Sequence, residues 1–473
     1  MQRLVLVLFL AFVVLAPLPL GSNRPLPAFA LASGLALVLL LWSAAAFRDR
    51  SLVSIPPARS LWFATPFLLY LAWAWLLTVP GFGTPHPFWL MSEETFGAEL
   101  PVRAALAPTA AGATLVNVMG YGAAFWLALH LGRRSQNARI MVIVLAIAMA
   151  AYALYGLVML LGGFDMILWF DRWVYQDFVT STFVNRNNYA TYAGIGLVLV
   201  LGLFVEQLHA AARLAVGDWR AALVAMLDES GAAIWLLLTA ILTIAVALLL
   251  TGSRAGVAST IVGGAVLLSA LGIARGTRAR TWLLALLFVT GASVALVSMS
   301  GAQLLDRLVD LEENAASRIE IQQLALEQIA ERPIFGHGPG SFPAVFEFAR
   351  SETFDDDDLS FERVHNTYLE VALESGLPGL VLLIAAPVIG FFVCLRGVFR
   401  RRDAYVYPAV ALGASALVAV HSIVDFGLQI PGVAVTYFTL LGIGVAQSWP
   451  RSEIEESARS GEPPAEGDAA PAQ

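Results

Sequence analysis

The chain has 473 residues, 58% of them hydrophobic and 13% charged, with a formal net charge of −7. A water-soluble protein this apolar would lack the polar side chains to cover its core, so a soluble globular enzyme is excluded. The composition implies a polytopic helical membrane protein, all-α in class; the net charge by itself points to no partner. All 28 basic residues are Arg, and the single Cys394 excludes an internal disulfide or a Cys-based metal cluster. Cys394 lies in an apolar run and reads as a small hydrophobe.

A membrane span needs about 20 apolar residues. The first stretch, MQRLVLVLFLAFVVLAPLPL, reads as a span rather than a cleaved signal peptide, because another apolar stretch follows at once. Its span is 3–20, and the pattern predicts eleven more: 26–46, 61–80, 111–131, 140–161, 187–206, 232–251, 256–274, 281–299, 376–395, 404–424 and 430–449. Four short Arg-rich connections, at 47–60, 132–139, 274–280 and 396–403, fall on one side in this count of about 12 transmembrane helices. The positive-inside rule makes that side, and both termini, cytoplasmic. The other side carries the longer connections 81–110, 162–186 and 300–375.

The expected organisation is N-terminal transmembrane helices at 1–110, a transmembrane core at 111–299, a large periplasmic loop at 300–375, C-terminal transmembrane helices at 376–449 and a disordered cytoplasmic tail at 450–473. Within the loop, SRIEIQQLALEQIAERP (317–333) predicts a helix with a Ser start and a Pro stop, burying Ile321 and Leu324 on one face. GHGPGSF (336–342) reads as a turn-rich break, and the DDDD run at 355–358 as solvated carboxylates, with a divalent-cation site as the alternative.

Three ionisable residues face the outer side at unusual places. FVNRNNYA puts Arg186 between Asn185 and Asn187 at the mouth of the sixth span, and LLLTGSRAG puts Arg254 after Ser253 in a tight turn. FERVHNTYLE puts His365 before the tenth span, beside Asn366 and Tyr368, which either orient it or cap the helix. Glu374 reads as a helix-start carboxylate, and His421 and Asp425, one turn apart, as a structural hydrogen-bonding pair in the first place and a second part of the site in the alternative. No nucleotide is available outside a bacterial inner membrane, so an activated donor there must carry its own leaving group. A polyprenyl diphosphate-linked glycan does so. Fixed guanidinium groups would hold its diphosphate, and a neutral His would take the acceptor's proton.

The segments FVNRNNYA, GSRAG, ERPIFGHGPGSF and VHNTYLEVALESGLPGL stand in the order and spacing of the O-antigen ligase/polymerase superfamily, which the chain resembles from about residue 110 to 445. The resemblance implies a mostly helical fold similar to type C glycosyltransferases, and glycan transfer in the periplasm without a cofactor or a required metal. It implies that Arg186 and Arg254 hold the diphosphate and that His365 activates the acceptor. Arg318 matches a recurring Arg, structural or a third phosphate contact. Asn188 stands where many relatives carry His. The acceptor hydroxyl is left open between lipid A core, another glycan and a protein; membrane lipids are partners and nucleic acid is not. The rival reading is a transporter of lipid-linked glycan, or a non-catalytic partner in polysaccharide export.

Overall fold

The computed structural model describes residues 2–97, 99–214, 229–275, 308–349, 361–400 and 404–449. The expected ninth span at 281–299, the acidic run and the tail lie outside them. The all-α expectation holds: among the described residues the only strands are the two-residue pair β1 (Met166–Ile167) and β2 (Phe170–Asp171).

Helices occupy the other eleven expected spans: α1 (Gln2–Leu15), α2 (Pro25–Arg48), α3 (Pro57–Leu76), α5 (Pro108–Leu131), α6 (Ser135–Leu161), α7 (Arg186–Leu214), α8 (Glu229–Leu249), α9 (Arg254–Ala274), α12 (Thr367–Arg400), α13 (Val406–His421) and α14 (Pro431–Ser448). Seven are long and apolar enough to cross a membrane, by length and composition. Proline opens α2, α3, α5 and α14, where its missing N–H costs nothing. Outside the spans lie α4 (Pro87–Phe96), α10 (Leu308–Glu331) and α11 (Phe342–Ala349). The loop helix is already helical at Leu308, where the described residues resume, nine residues before the expected Ser317, because good helix formers extend upstream.

The helices pack α9 on α13, α14 on α5 and α13, and α12 on α3. The α9–α13 crossing is backbone-close: a Cβ at Gly263 or Gly413 would stand 2.7 Å from the other's carbonyl oxygen.

The two ends of the bundle differ. At one, the Gln2 amide meets Arg134, Arg133 donates to the Ala446 and Trp449 carbonyls at 3.0 and 2.7 Å, and Arg275 donates to the Tyr405 hydroxyl at 3.2 Å. At the other, α10 and α11 share a small core with the start of α12, built on Ile321, Leu324, Phe342, Phe346, Val364 and Leu373. Ile321 and Leu324 therefore share the buried face that their spacing predicts.

α12 is two helices joined at Gly376, whose φ of 68° and ψ of 173° are non-helical. The break leaves carbonyls without helical partners, and the loop supplies them: His337 and Gly338 N–H donate to Leu373 and Glu374 at 2.9 and 2.7 Å. The turn-rich GHGPGSF segment bends through positive φ at Gly336, Gly338 and Gly340 to reach them. The extramembrane layer is thereby tied to the first half of α12, which carries the site.

Candidate functional site

His365 lies on the connection into α12, in a left-handed conformation with φ of 56°. Three contacts fix it there. Asn366 Oδ1 accepts from Tyr368 N and Leu369 N at 3.0 and 3.1 Å, capping the helix. Thr367 N donates to the Ser422 carbonyl at 2.9 Å and its hydroxyl to the Asp425 carbonyl at 3.0 Å, fastening α12 to the turn after α13. Gln322 Nε2 on α10 reaches the His365 carbonyl at 3.5 Å.

This stapling brings His365 Nδ1 to 3.7 Å from Asp425 Oδ1, an ion-pair distance rather than a direct hydrogen bond. The His365 side chain is 17% exposed and Asp425 is buried, and the imidazole packs edge-on against Phe426. Burial raises the Asp425 pKa, but His365, His421 and the Phe426 N–H outweigh it and hold the carboxyl below its ordinary range. Behind it, His421 Nδ1 shares a 2.7 Å hydrogen bond with the Thr191 hydroxyl, tying the turn to α7.

His365 opens onto a cavity of about 310 Å³. Arg24, Asn185, Asn188, Glu362 and Arg363 share its wall. Asn188 is 2% exposed, and its Oδ1 has no hydrogen-bond partner among the described residues. A buried, unpaired acceptor on a cavity wall is satisfied when a ligand hydroxyl or amide donates to it.

Arg186, Arg254 and Arg318 stand beside this cavity rather than on its wall. Arg186 opens α7, with its guanidinium 4.1 Å over the Phe178 ring and 5.4 Å over Tyr175, which does line the cavity. Arg254 is the exposed first residue of α9; Ser253 caps that helix by accepting from Gly256 N at 3.2 Å. Arg318 lies one turn before Gln322 on α10. The fields of Arg254 and Arg318 both reach Arg186. Among the described residues no carboxylate pairs with any of the three. Asn185 accepts from Asn187 N at 2.7 Å, a local turn that sets the start of α7. Neighbouring Arg172 is a scaffold, donating to Gln176, Phe178 and Thr180 and so shaping the loop that carries the Arg186-stacking rings.

Several residues take roles that the sequence reading left open or did not assign. For Asp425 the contact with His365 favours the alternative, a second part of the site, over a purely structural pair with His421. Glu374 caps a helix other than its own, accepting from Phe342 N at the start of α11 at 3.3 Å. Glu370 is fully buried and double-bonded, to Arg363 Nη1 and to Val364 N, each at 2.9 Å. Arg24 and Arg363 carried no expectation. The charged FERVH run at the mouth of an apolar helix is the one sequence signal that pointed towards Arg363.

Residues 239–384 match the O-antigen ligase family. A curated relative, the exopolysaccharide production protein ExoQ of Rhizobium meliloti (strain 1021), is 27% identical over 155 residues, covering 31% of this chain and 35% of that protein. The family match takes in Arg254, Arg318 and His365; Arg186 lies before it and Asp425 after it. The chain is thus similar to the O-antigen ligase superfamily, as its motifs imply.

Proposed function

We propose that this chain, a relative of the O-antigen ligases, is an integral-membrane glycosyltransferase of surface-polysaccharide biosynthesis. It moves a glycan from a polyprenyl diphosphate carrier to a hydroxyl acceptor on the periplasmic face of the bacterial inner membrane, with both termini cytoplasmic. The observation that carries this reading is the His365–Asp425 pair on a polar cavity, beside three guanidinium groups that no described carboxylate neutralises.

In this reading His365 Nδ1 points at Asp425, so Nε2 is the free base. The acceptor hydroxyl loses its proton to Nε2 as its oxygen bonds to the anomeric carbon. The bond from that carbon to the diphosphate breaks, and its electron pair leaves on the phosphate. Asp425 stabilises the imidazolium that forms, a contact that shortens as charge develops. Arg186, Arg254 and Arg318 take up the charge growing on the leaving diphosphate, which is stabilisation specific to the transition state. General-base assistance of this kind contributes roughly 10²–10⁴-fold.

Gathering of the charged residues at one end of the bundle supports transfer over transport, since a transporter holds its site near mid-membrane. The test uses purified protein and a radiolabelled undecaprenyl diphosphate-glycan, with candidate acceptors present. Release of undecaprenyl diphosphate by the wild type and not by His365→Ala is expected. No release with the donor still bound would turn the assignment to a transporter or an assembly partner.

A further inference from the structure

Leu20, Tyr175 and His365 each hold a φ of 56°, and all three line the cavity of about 310 Å³. They are three of the seven non-glycine residues at positive φ among the described residues. Left-handed backbone is unfavourable for a residue with a Cβ, and it gathers where side chains are held for a ligand. Two kinds of group make up the rest of the wall. Trp173, Tyr175 and Phe361 supply rings, and Asn23, Asn185 and Asn188 supply amides. Aromatic faces with a few amides between them suit a pyranose, whose C–H face stacks on a ring while its hydroxyls pair with the amides.

Asn188 is the amide that the fold does not use. Asn185 Oδ1 already accepts from Asn187 N at 2.7 Å, whereas Asn188, only 2% exposed, has an Oδ1 with no partner among the described residues. The first turn of α7 thus sets a buried polar group on the cavity wall at a cost that a ligand hydroxyl or N–H removes. Half-exposed Trp173 is steadied by the Arg24 guanidinium, 5.8 Å from its ring centroid. Tyr175 links this wall to the phosphate side, since the Arg186 guanidinium lies 5.4 Å from its ring, and Asn185 and Asn188 stand on either side of Arg186 in the chain. A diphosphate held by Arg186 therefore brings the sugar bonded to it to this cavity, beside His365. The volume is at the small end for ligand sites, so that one sugar enters and the rest of the glycan stays outside.

We propose that Asn188 determines which sugar the protein accepts on its donor. Its amide pairs with a hydroxyl or acetamido group of the sugar attached to the diphosphate, while Trp173 and Tyr175 hold that sugar's ring. This rests on the transferase reading above and deepens it. Selection comes from the unmade bond: a sugar that presents no partner to Asn188 leaves the buried amide unsatisfied when it fills the cavity and excludes water.

The test offers full-length protein in phosphatidylcholine nanodiscs three donors, undecaprenyl diphosphate bearing glucose, galactose or N-acetylglucosamine, with one acceptor mixture. In the wild type, kcat/KM for the best donor is expected to exceed that for the worst by about tenfold or more. In Asn188→Leu the spread should shrink to about threefold or less, through loss on the best donor. Trp173→Leu should lower all three alike and keep their order. Asn188→Leu breaks no bond within the described residues, so its Tm is expected at or above the wild-type value. If it fails to fold, Asn188→Ala is read in its place. A wild type indifferent to the sugar, a preference that survives in the variant, or an equal loss on all three donors overturns the proposal. Absence of release from every donor is failure of the transferase reading instead. Equilibrium binding then decides: radiolabelled undecaprenyl diphosphate-sugar that binds about tenfold more tightly than undecaprenyl diphosphate, with the gain lost in Asn188→Leu, supports the sugar subsite, and equal affinities overturn it.

Discussion

His365 and Asp425 are sixty positions apart in the chain, yet the carboxylate faces the imidazole at 3.7 Å, because Thr367 is bonded to both Ser422 and Asp425. Asp425→Asn keeps the shape and removes the charge that would stabilise an imidazolium. Turnover should fall by roughly 10–100-fold in kcat, with KM for donor little changed. Steady-state kinetics on the purified variant check this; a KM effect with kcat intact would place Asp425 in binding.

Arg254→Lys retains a positive charge and loses the planar fork. If Arg254 helps hold a diphosphate, kcat/KM should drop by about tenfold or more, while Arg254→Ala should drop it further. Full activity in Arg254→Lys would make Arg254 a lipid anchor instead.

Glu370→Gln leaves Arg363 without its carboxylate in a buried setting. A loss of about 2–3 kcal/mol is expected, read as a lower Tm in detergent. Arg363 is 32% exposed, so solvent screens part of the lost interaction and the figure belongs at the lower end of the range for buried pairs.

Gly376→Ala should be more severe. The residue holds φ of 68°, and an added Cβ would overlap the Ile334 carbonyl. Strain of about 1–3 kcal/mol is expected from the backbone alone, before the overlap is counted. Expression and thermal stability report it, and an unchanged Tm would show that the α12 break relaxes.

The extramembrane layer should loosen in acid. Phe88 N donates to His86 Nδ1, His86 and His337 share a 2.9 Å bond, and His337 Nε2 meets the Gln328 carbonyl at 3.2 Å. That chain assigns one proton to each ring, on Nε2. Burial, followed by the charge of neighbouring groups, pushes His86 down to about 3; burial likewise pushes His337 down to about 4. Because the folded values lie below the unfolded 6.5, the stability is full above pH 6.5 and falls as pH drops towards 4. Limited proteolysis of the 81–107 connection across pH 7 to 4 should show rising cleavage, with a smaller pH dependence in His86→Asn.

The sequence by itself determined the helical membrane class, eleven spans and the loop helix among the described residues, and the residues worth examining. Those properties are local: apolar runs, Arg-rich connections and a charged motif before a span are each contained within one segment. It also marked Arg186, Arg254 and His365, since an ionisable residue at a membrane boundary is conspicuous without any knowledge of its neighbours. Only the tertiary structure decided that Asp425 faces His365, that Glu374 caps α11 and that Glu370 holds Arg363. Partners across tens to hundreds of residues are chosen by helix packing and by backbone groups released at the Gly376 break, and no periodicity within a segment encodes which distant carbonyl or carboxylate will meet them.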